Sequence, residues 1–314
     1  MHAESRWVAT WVALSLLAWG CAGARRPMSP GIGDHARGLE EASHETALGG
    51  DLRRAALLER RAVDAYRRID DTASTAAGLN RLGNLRQLAG DPAGARRAYL
   101  EAAELSRATG VAAEEAAAEN NLGTLAEEEG DRAVARDDYR AALSLARSVD
   151  AASVEAAALN NLGLLSLAAG DLSDARARFE QAIAIDRAEV DRAGEATRLR
   201  NLGVLYGRAG DVAAALVSLE DAHRIDRERE DVRAIALDLV ALSEVRASSG
   251  RDLARAVSER LRARDIHLHL GAEGAVHADL DRVAGWCARL GAAAPRGCEP
   301  ASVASPPAGA PDRL

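Results

Sequence analysis

The 314-residue chain has no lysine; all 40 of its basic residues are arginine. That excludes a P-loop lysine, a Schiff-base lysine and a lysine general base. Aromatic side chains are scarce too: four tryptophans, four tyrosines and one phenylalanine, with Trp7, Trp11 and Trp19 crowded at the start. A formal charge of −8 with so few stacking rings excludes the basic, aromatic-lined face that nucleic acid requires, so no nucleic-acid partner is expected. Cysteine is limited to three residues. What fills the chain is alanine and leucine, a composition that favours helix over sheet.

Motifs for chemistry are missing as well. No G-x-S-x-G elbow and no H-E-x-x-H occur. His267, His269 and His277 form the one histidine cluster, and His267 and His269 are two apart, so they do not share a helix face. The carboxylate runs Glu127 to Glu129, Asp137-Asp138 and Asp70-Asp71 read as solvated surface or turn charges. The expectation is a non-enzyme with no catalytic residue, no metal and no cofactor. The rival from another class is a secreted hydrolase using a groove carboxylate.

Residues 1 to 24, MHAESRWVATWVALSLLAWGCAGA, differ from everything after them. A start carrying Arg6 leads into the weakly polar-to-apolar run Trp7 to Trp19, an h-region length too short for a comfortable membrane span. The run ends in LLAWGC, which resembles a bacterial lipobox with Gly20 before Cys21. That resemblance implies a signal peptide over 1–20, lipidation of Cys21, and a lipid anchor facing the periplasm. With Ala22 rather than aspartate after the cysteine, the outer membrane is the expected location. Two alternatives stay open. Cleavage after Ala22-Gly23-Ala24 gives a soluble periplasmic or secreted protein, and a start at Met28 gives a cytoplasmic regulatory module. Residues 21–33 read as a tether, and 293–314 as a disordered Pro/Ala-rich tail. With Cys21 lipidated, Cys287 and Cys298 remain as a candidate disulfide, the alternative being two free thiols.

Between these ends runs a period of forty. Gly83, Gly123, Gly163 and Gly203 are forty apart, as are the Gly-Asp pairs at 90–91, 130–131, 170–171 and 210–211. Ala95, Ala135, Ala175 and Ala215 keep step, as do Ala102, Ala142, Ala182 and Ala222, and the bulky series Tyr99, Tyr139, Phe179 and Leu219. Each copy reads as a helical hairpin. Leu159, Leu162, Gly163 and Ser166 share one stripe, Gly170-Asp171 stops the first helix and caps the second, and Ala175, Phe179, Ala182 and Ile185 make the second stripe. Gly163 and Ala175 let the backbones approach beside Phe179.

The pattern N-L-G, G-D, alanine, aromatic and alanine at these spacings resembles the tetratricopeptide (TPR) repeat. The forty-residue unit with LNNLG is similar to the longer-helix subclass of kinesin light chains and Rapsyn/LGN-type adaptors. The strong copies span 73–230, and the tryptophan and closing proline of the usual unit are missing. The expected fold is an all-α solenoid over 34–292. It has six hairpins, beginning near 34, 73, 113, 153, 193 and 233, and a capping helix through Val276, Leu280, Val283 and Trp286.

The resemblance implies that first helices line a concave groove that binds a protein or peptide segment. The face assigned to it holds Asn80 and Asn84; Asn120, Asn121 and Thr124; Asn160, Asn161 and Leu164; and Arg200, Asn201 and Arg208. Two roles are open for the repeated amides: pairing with the main chain of a bound peptide, or bonding neighbouring helices. Glu127 and Glu128, then leucines, then Arg200 and Arg208 suggest a partner with an apolar middle and an acidic end. A non-enzymatic adaptor is the expected function, with a structural homo-oligomer as the other possibility.

Overall fold

The computed structural model describes residues 31–250, 252–291, 295 and 298. The expected signal peptide, the lipidation site Cys21, most of the tether and the tail beyond Cys298 lie outside the described residues. Every regular element among the described residues is an α-helix, and there are thirteen. In chain order they are α1 (Ile32–Leu48), α2 (Leu52–Arg67), α3 (Thr72–Leu88), α4 (Pro92–Thr109), α5 (Ala112–Glu128), α6 (Arg132–Ser148) and α7 (Ala152–Ala169). There follow α8 (Leu172–Ala188), α9 (Arg192–Ala209), α10 (Val212–Glu228), α11 (Val232–Ser249), α12 (Leu253–His269) and α13 (Glu273–Leu290). This is the all-α repeat fold, six helical hairpins and a closing helix. The first helix begins at Ile32, inside the stretch read as tether.

The chain forms two compact units, one up to Ala98 and one from Tyr99, the boundary falling within α4. In the first unit α2 packs against both α1 and α3. In the second, α5 pairs with α6, α7 with α8, α9 with α10 and α11 with α12. Each of these second helices also packs on the next helix in the chain, and α13 covers α12.

Two turns alternate. Inside each hairpin a glycine in the left-handed region ends the first helix, as at Gly170 (φ 84°). In the first five hairpins the aspartate after it accepts a hydrogen bond from the N–H three residues on, as Asp171 does from Asp174 at 3.1 Å; in the last, Asp252 makes no such bond. Between hairpins the left-handed position is Asp70, Gly110, Asp150, Val190 or Glu230, again forty apart.

The recurring small and bulky residues meet inside the hairpins. The series Ala135, Ala175 and Ala215 and the series Ala142, Ala182 and Ala222 are wholly shielded from solvent. A Cβ placed on Gly163 would lie 2.7 Å from Phe179 Cε1, and one on Gly123 would lie 2.7 Å from the Tyr139 ring. In a close-packed interior such distances leave no room for a side chain. Phe179 also belongs to a core cluster with Leu199, Leu202 and Leu205 of α9, so one ring ties its hairpin to the next. At the closing end Val283, Trp286 and Cys287 of α13 bury against Ala256 and Val257 of α12. Cys287 and Cys298 are joined in a disulfide.

Candidate functional site

The repeated amides bond to one another. Asn161 Nδ2 donates to Asn120 Oδ1 at 3.1 Å, and Asn201 Nδ2 donates to Asn160 Oδ1 at 2.7 Å. Asn160 Nδ2 in turn donates to Asn161 Oδ1 at 3.2 Å. The four side chains form one chain linking α5, α7 and α9. Each rung joins the second amide position of one hairpin to the first amide position of the hairpin before it, a separation of 41 residues. The first unit repeats the offset with charges, where Arg81 pairs with Glu40 and, at 2.8 Å, with buried Glu59.

Of the two roles open for the amides, this geometry shows bonding between neighbouring helices: Asn161 and Asn201 each donate to the hairpin before, and Asn160 is buried. Asn121 is half-buried and takes part in no such pair among the described residues. Asn80 is buried, while Asn84 is exposed beside a cleft of about 500 Å³ in the first unit that Glu40, Glu41, His44 and Arg81 also line. The Thr124 hydroxyl is committed within its hairpin, donating to Asn120 O at 3.1 Å and lying 3.3 Å from the Tyr139 hydroxyl.

Arg200 too bonds between helices. It takes the place of the first amide, but its Nε lies 2.6 Å from Asp238 Oδ1 and its Nη2 2.7 Å from Asp226 Oδ2. Both carboxylates are buried. Burial, and next the neighbouring Asp238, push the Asp226 carboxyl up; Arg200 and Arg229 oppose the shift. Arg200 is thus held in the scaffold, and only Arg208 of the expected basic end is exposed. Of the expected acidic-to-basic series, Arg200 is taken up by buried carboxylates.

At the next position the first helices of the second unit carry a row that is partly open to solvent. Thr124, Leu164, Val204 and Glu244 are forty apart and all half-buried, whereas Leu122, Leu162, Leu202 and Leu242, two residues before each, are buried. The row is chemically mixed where the core beside it is uniform. The histidines make separate contacts: His267 Nδ1 with Asp279 at 2.7 Å, His269 Nδ1 with the Asp265 carbonyl and His277 Nδ1 with the Glu273 carbonyl.

A repeated ion pair lies outside the expectations drawn from the sequence. Arg107, Arg147 and Arg187 at the ends of second helices reach Glu115, Glu155 and Glu195 of the next first helices at 2.7, 2.8 and 2.7 Å. The signal is present in the sequence, since both partners recur every forty residues. The series stops at the following hairpin, where Ile235 stands forty residues after Glu195.

Residues 114–188 and 154–228 match the tetratricopeptide repeat family model. Such repeats are generally non-enzymatic scaffolds that bind protein partners. Among solved structures the chain is similar to BtubC (BKLC) from P. vanneervenii, at 22% identity over 70% of this chain and 92% of that one, with a TM-score of 0.57. It is also similar to a Rap protein complexed with Competence and Sporulation Factor, at 15% identity over 80% and 74% of the two chains, TM-score 0.58. A third likeness, at 16% identity and TM-score 0.58, is to the APC/C hetero-tetramer Cut9-Hcn1, covering 86% of this chain and 45% of that one. These likenesses are of fold. No curated protein matches the chain in sequence.

Proposed function

We propose that the chain is a non-enzymatic adaptor that holds a segment of a partner protein against the exposed face of its first helices, at the bacterial envelope. The observation that carries this reading is the row Thr124, Leu164, Val204 and Glu244, half-buried and different in every repeat beside a core that hardly changes. Thr124 and Glu244 also bond within the scaffold, to Tyr139 and to Arg260 and Arg282, which leaves Leu164 and Val204 as the apolar middle of the surface offered to a partner. The Rap protein, whose solved structure holds Competence and Sporulation Factor, lends the reading support by its fold.

The envelope location rests on the lipobox-like LLAWGC and on the Cys287–Cys298 disulfide, which suits an oxidising compartment. Among the described residues no helix is long and apolar enough to cross a membrane, and the attachment proposed is acylation of Cys21.

A photo-crosslinking side chain at Leu164 or Val204 tests the binding face in cells. The expected result is an adduct of the same protein from both positions and none from the exposed second-helix position Glu180. Equal adducts from Glu180, or none from either first-helix position, contradict the reading. Labelled palmitate incorporated by the wild type and absent from Cys21→Ala is the matching result for the anchor; equal labelling of the two contradicts it.

A further inference from the structure

The second unit has a cleft of about 260 Å³ away from that row, lined by one face of α6 together with α7 and the start of α8. Arg132, Arg136 and Arg140 stand along α6 at i, i+4 and i+8, Arg178 of α8 faces them, and Leu162 and Leu165 of α7 form the floor. We propose that this cleft docks an extended acidic segment of a partner protein, with carboxylates on alternate residues. This second contact rests on the adaptor reading and adds the chemistry of the partner.

Internal comparison sets this face apart. The place of Arg132 is Leu52, Pro92, Leu172, Val212 and, after a one-residue insertion, Leu253 in the other hairpins; the place of Arg140 is Arg60, Leu100, Glu180, Glu220 and Leu261, and that of Arg136 is arginine again at Arg96 and Arg176. Leu172 and Val212 pack against core clusters of the second unit. Arg132 gives up that packing. It also sits in the first turn of α6, where the helix dipole disfavours a cation. Arg132 makes no ion pair or side-chain hydrogen bond among the described residues, so the scaffold gains nothing from the charge.

The acidic groups of the cleft are already committed. Asp174 accepts from Arg178 at 2.6 Å and from the Ser166 hydroxyl, and the Arg178 hydrogen bond holds its carboxyl below the usual range. Asp171 caps α8. Asp137 lies 3.9 Å from both Arg136 and Arg140, with all three side chains more than half exposed. Arg132 thus stands without an ion pair, and Arg136 and Arg140 share one long, exposed contact to Asp137 that an incoming anion can replace, over an apolar floor. Along α6 the three arginines rise about 6 Å per step. Alternate residues of an extended chain advance about 7 Å, so successive carboxylates meet successive arginines while the intervening side chains contact leucine.

The test is fluorescence anisotropy with the full chain and a fluorescein-labelled peptide alternating glutamate and leucine. Arg132→Leu, which restores the residue type of the neighbouring hairpins, and Arg132→Glu/Arg136→Glu/Arg140→Glu are compared with wild type, helicity being checked by circular dichroism. Expected are saturable binding that weakens with salt, a loss of severalfold in Arg132→Leu and a loss of about tenfold or more in the triple variant. Absent binding, or equal binding by the triple variant, overturns the proposal. So does displacement of the peptide by inorganic phosphate at the concentration at which an unlabelled peptide displaces it, which would make the cleft a simple anion site. Photo-adducts from Leu164 persisting in the triple variant leave the adaptor reading standing if the cleft fails.

Discussion

Arg200 Nε lies 2.6 Å from Oδ1 of Asp238, a residue wholly shielded from solvent, while the other end of the same guanidinium meets Asp226. One cation therefore bridges two buried carboxylates on α10 and α11 from its seat on α9. Removing one partner of such a buried set leaves uncompensated charge, at a cost of about 3–5 kcal/mol. Arg200→Ala is expected to lower stability by that amount in urea denaturation, and adding Asp226→Asn and Asp238→Asn is expected to recover much of it. An Arg200→Ala protein as stable as wild type contradicts the assignment.

Close approach at Gly163 gives a second expectation. Alanine is the better helix former by about 1 kcal/mol, yet its methyl would sit 2.7 Å from Phe179 Cε1. Overpacking of this kind costs about 1–3 kcal/mol, so Gly163→Ala is expected to lower the melting temperature. Gly203→Ala is expected to behave alike, since a Cβ there would lie 2.6 Å from Leu219 Cγ. A Gly163→Ala protein that melts higher than wild type contradicts the packing argument.

At Val190 the backbone itself is strained. A β-branched residue holds φ 58° there, and its side chain is largely exposed. The equivalent turn at 110 uses glycine. Val190→Gly is expected to stabilise by about 1 kcal/mol, read as a higher denaturation midpoint with an unchanged slope. A lower midpoint contradicts it.

Burial pushes the Asp186 carboxyl up to about 6, with Arg198 at 3.3 Å opposing the shift. A raised pKa means the folded state binds the proton more tightly than the unfolded state. The stabilising effect is complete below the ordinary value of 3.8 and is lost as pH rises through about 6. Relative to Asp186→Asn, the wild type is expected to lose about 1–3 kcal/mol between those limits. Denaturation of both proteins across the interval checks this, and parallel curves contradict it.

The architecture is legible in the sequence because its determinants are local and repeat. A period of forty in glycine, alanine and one bulky residue specifies hairpin length, turn and close contact together, as Gly163 against Phe179 demonstrates. The interaction face is harder to read. An asparagine in a helix states only that an amide is present, and whether Asn161 bonds a ligand or the next helix depends on Asn120, 41 positions away. Arg200 is opaque for the same reason: its partners Asp226 and Asp238 lie on two other helices, outside any first-helix pattern. The Arg107–Glu115 series is written in the period, but each residue alone resembles ordinary surface charge.

The amides of Asn120 and Asn161 belong to the stack, and a double-mutant cycle with Asn120→Ala and Asn161→Ala, followed by equilibrium denaturation of the full chain, measures their coupling directly. The expected coupling is about 0.5–1.5 kcal/mol in favour of the native state. Single variants as stable as wild type, with zero coupling between them, would contradict the stitch and return both amides to the pool of partner-binding groups.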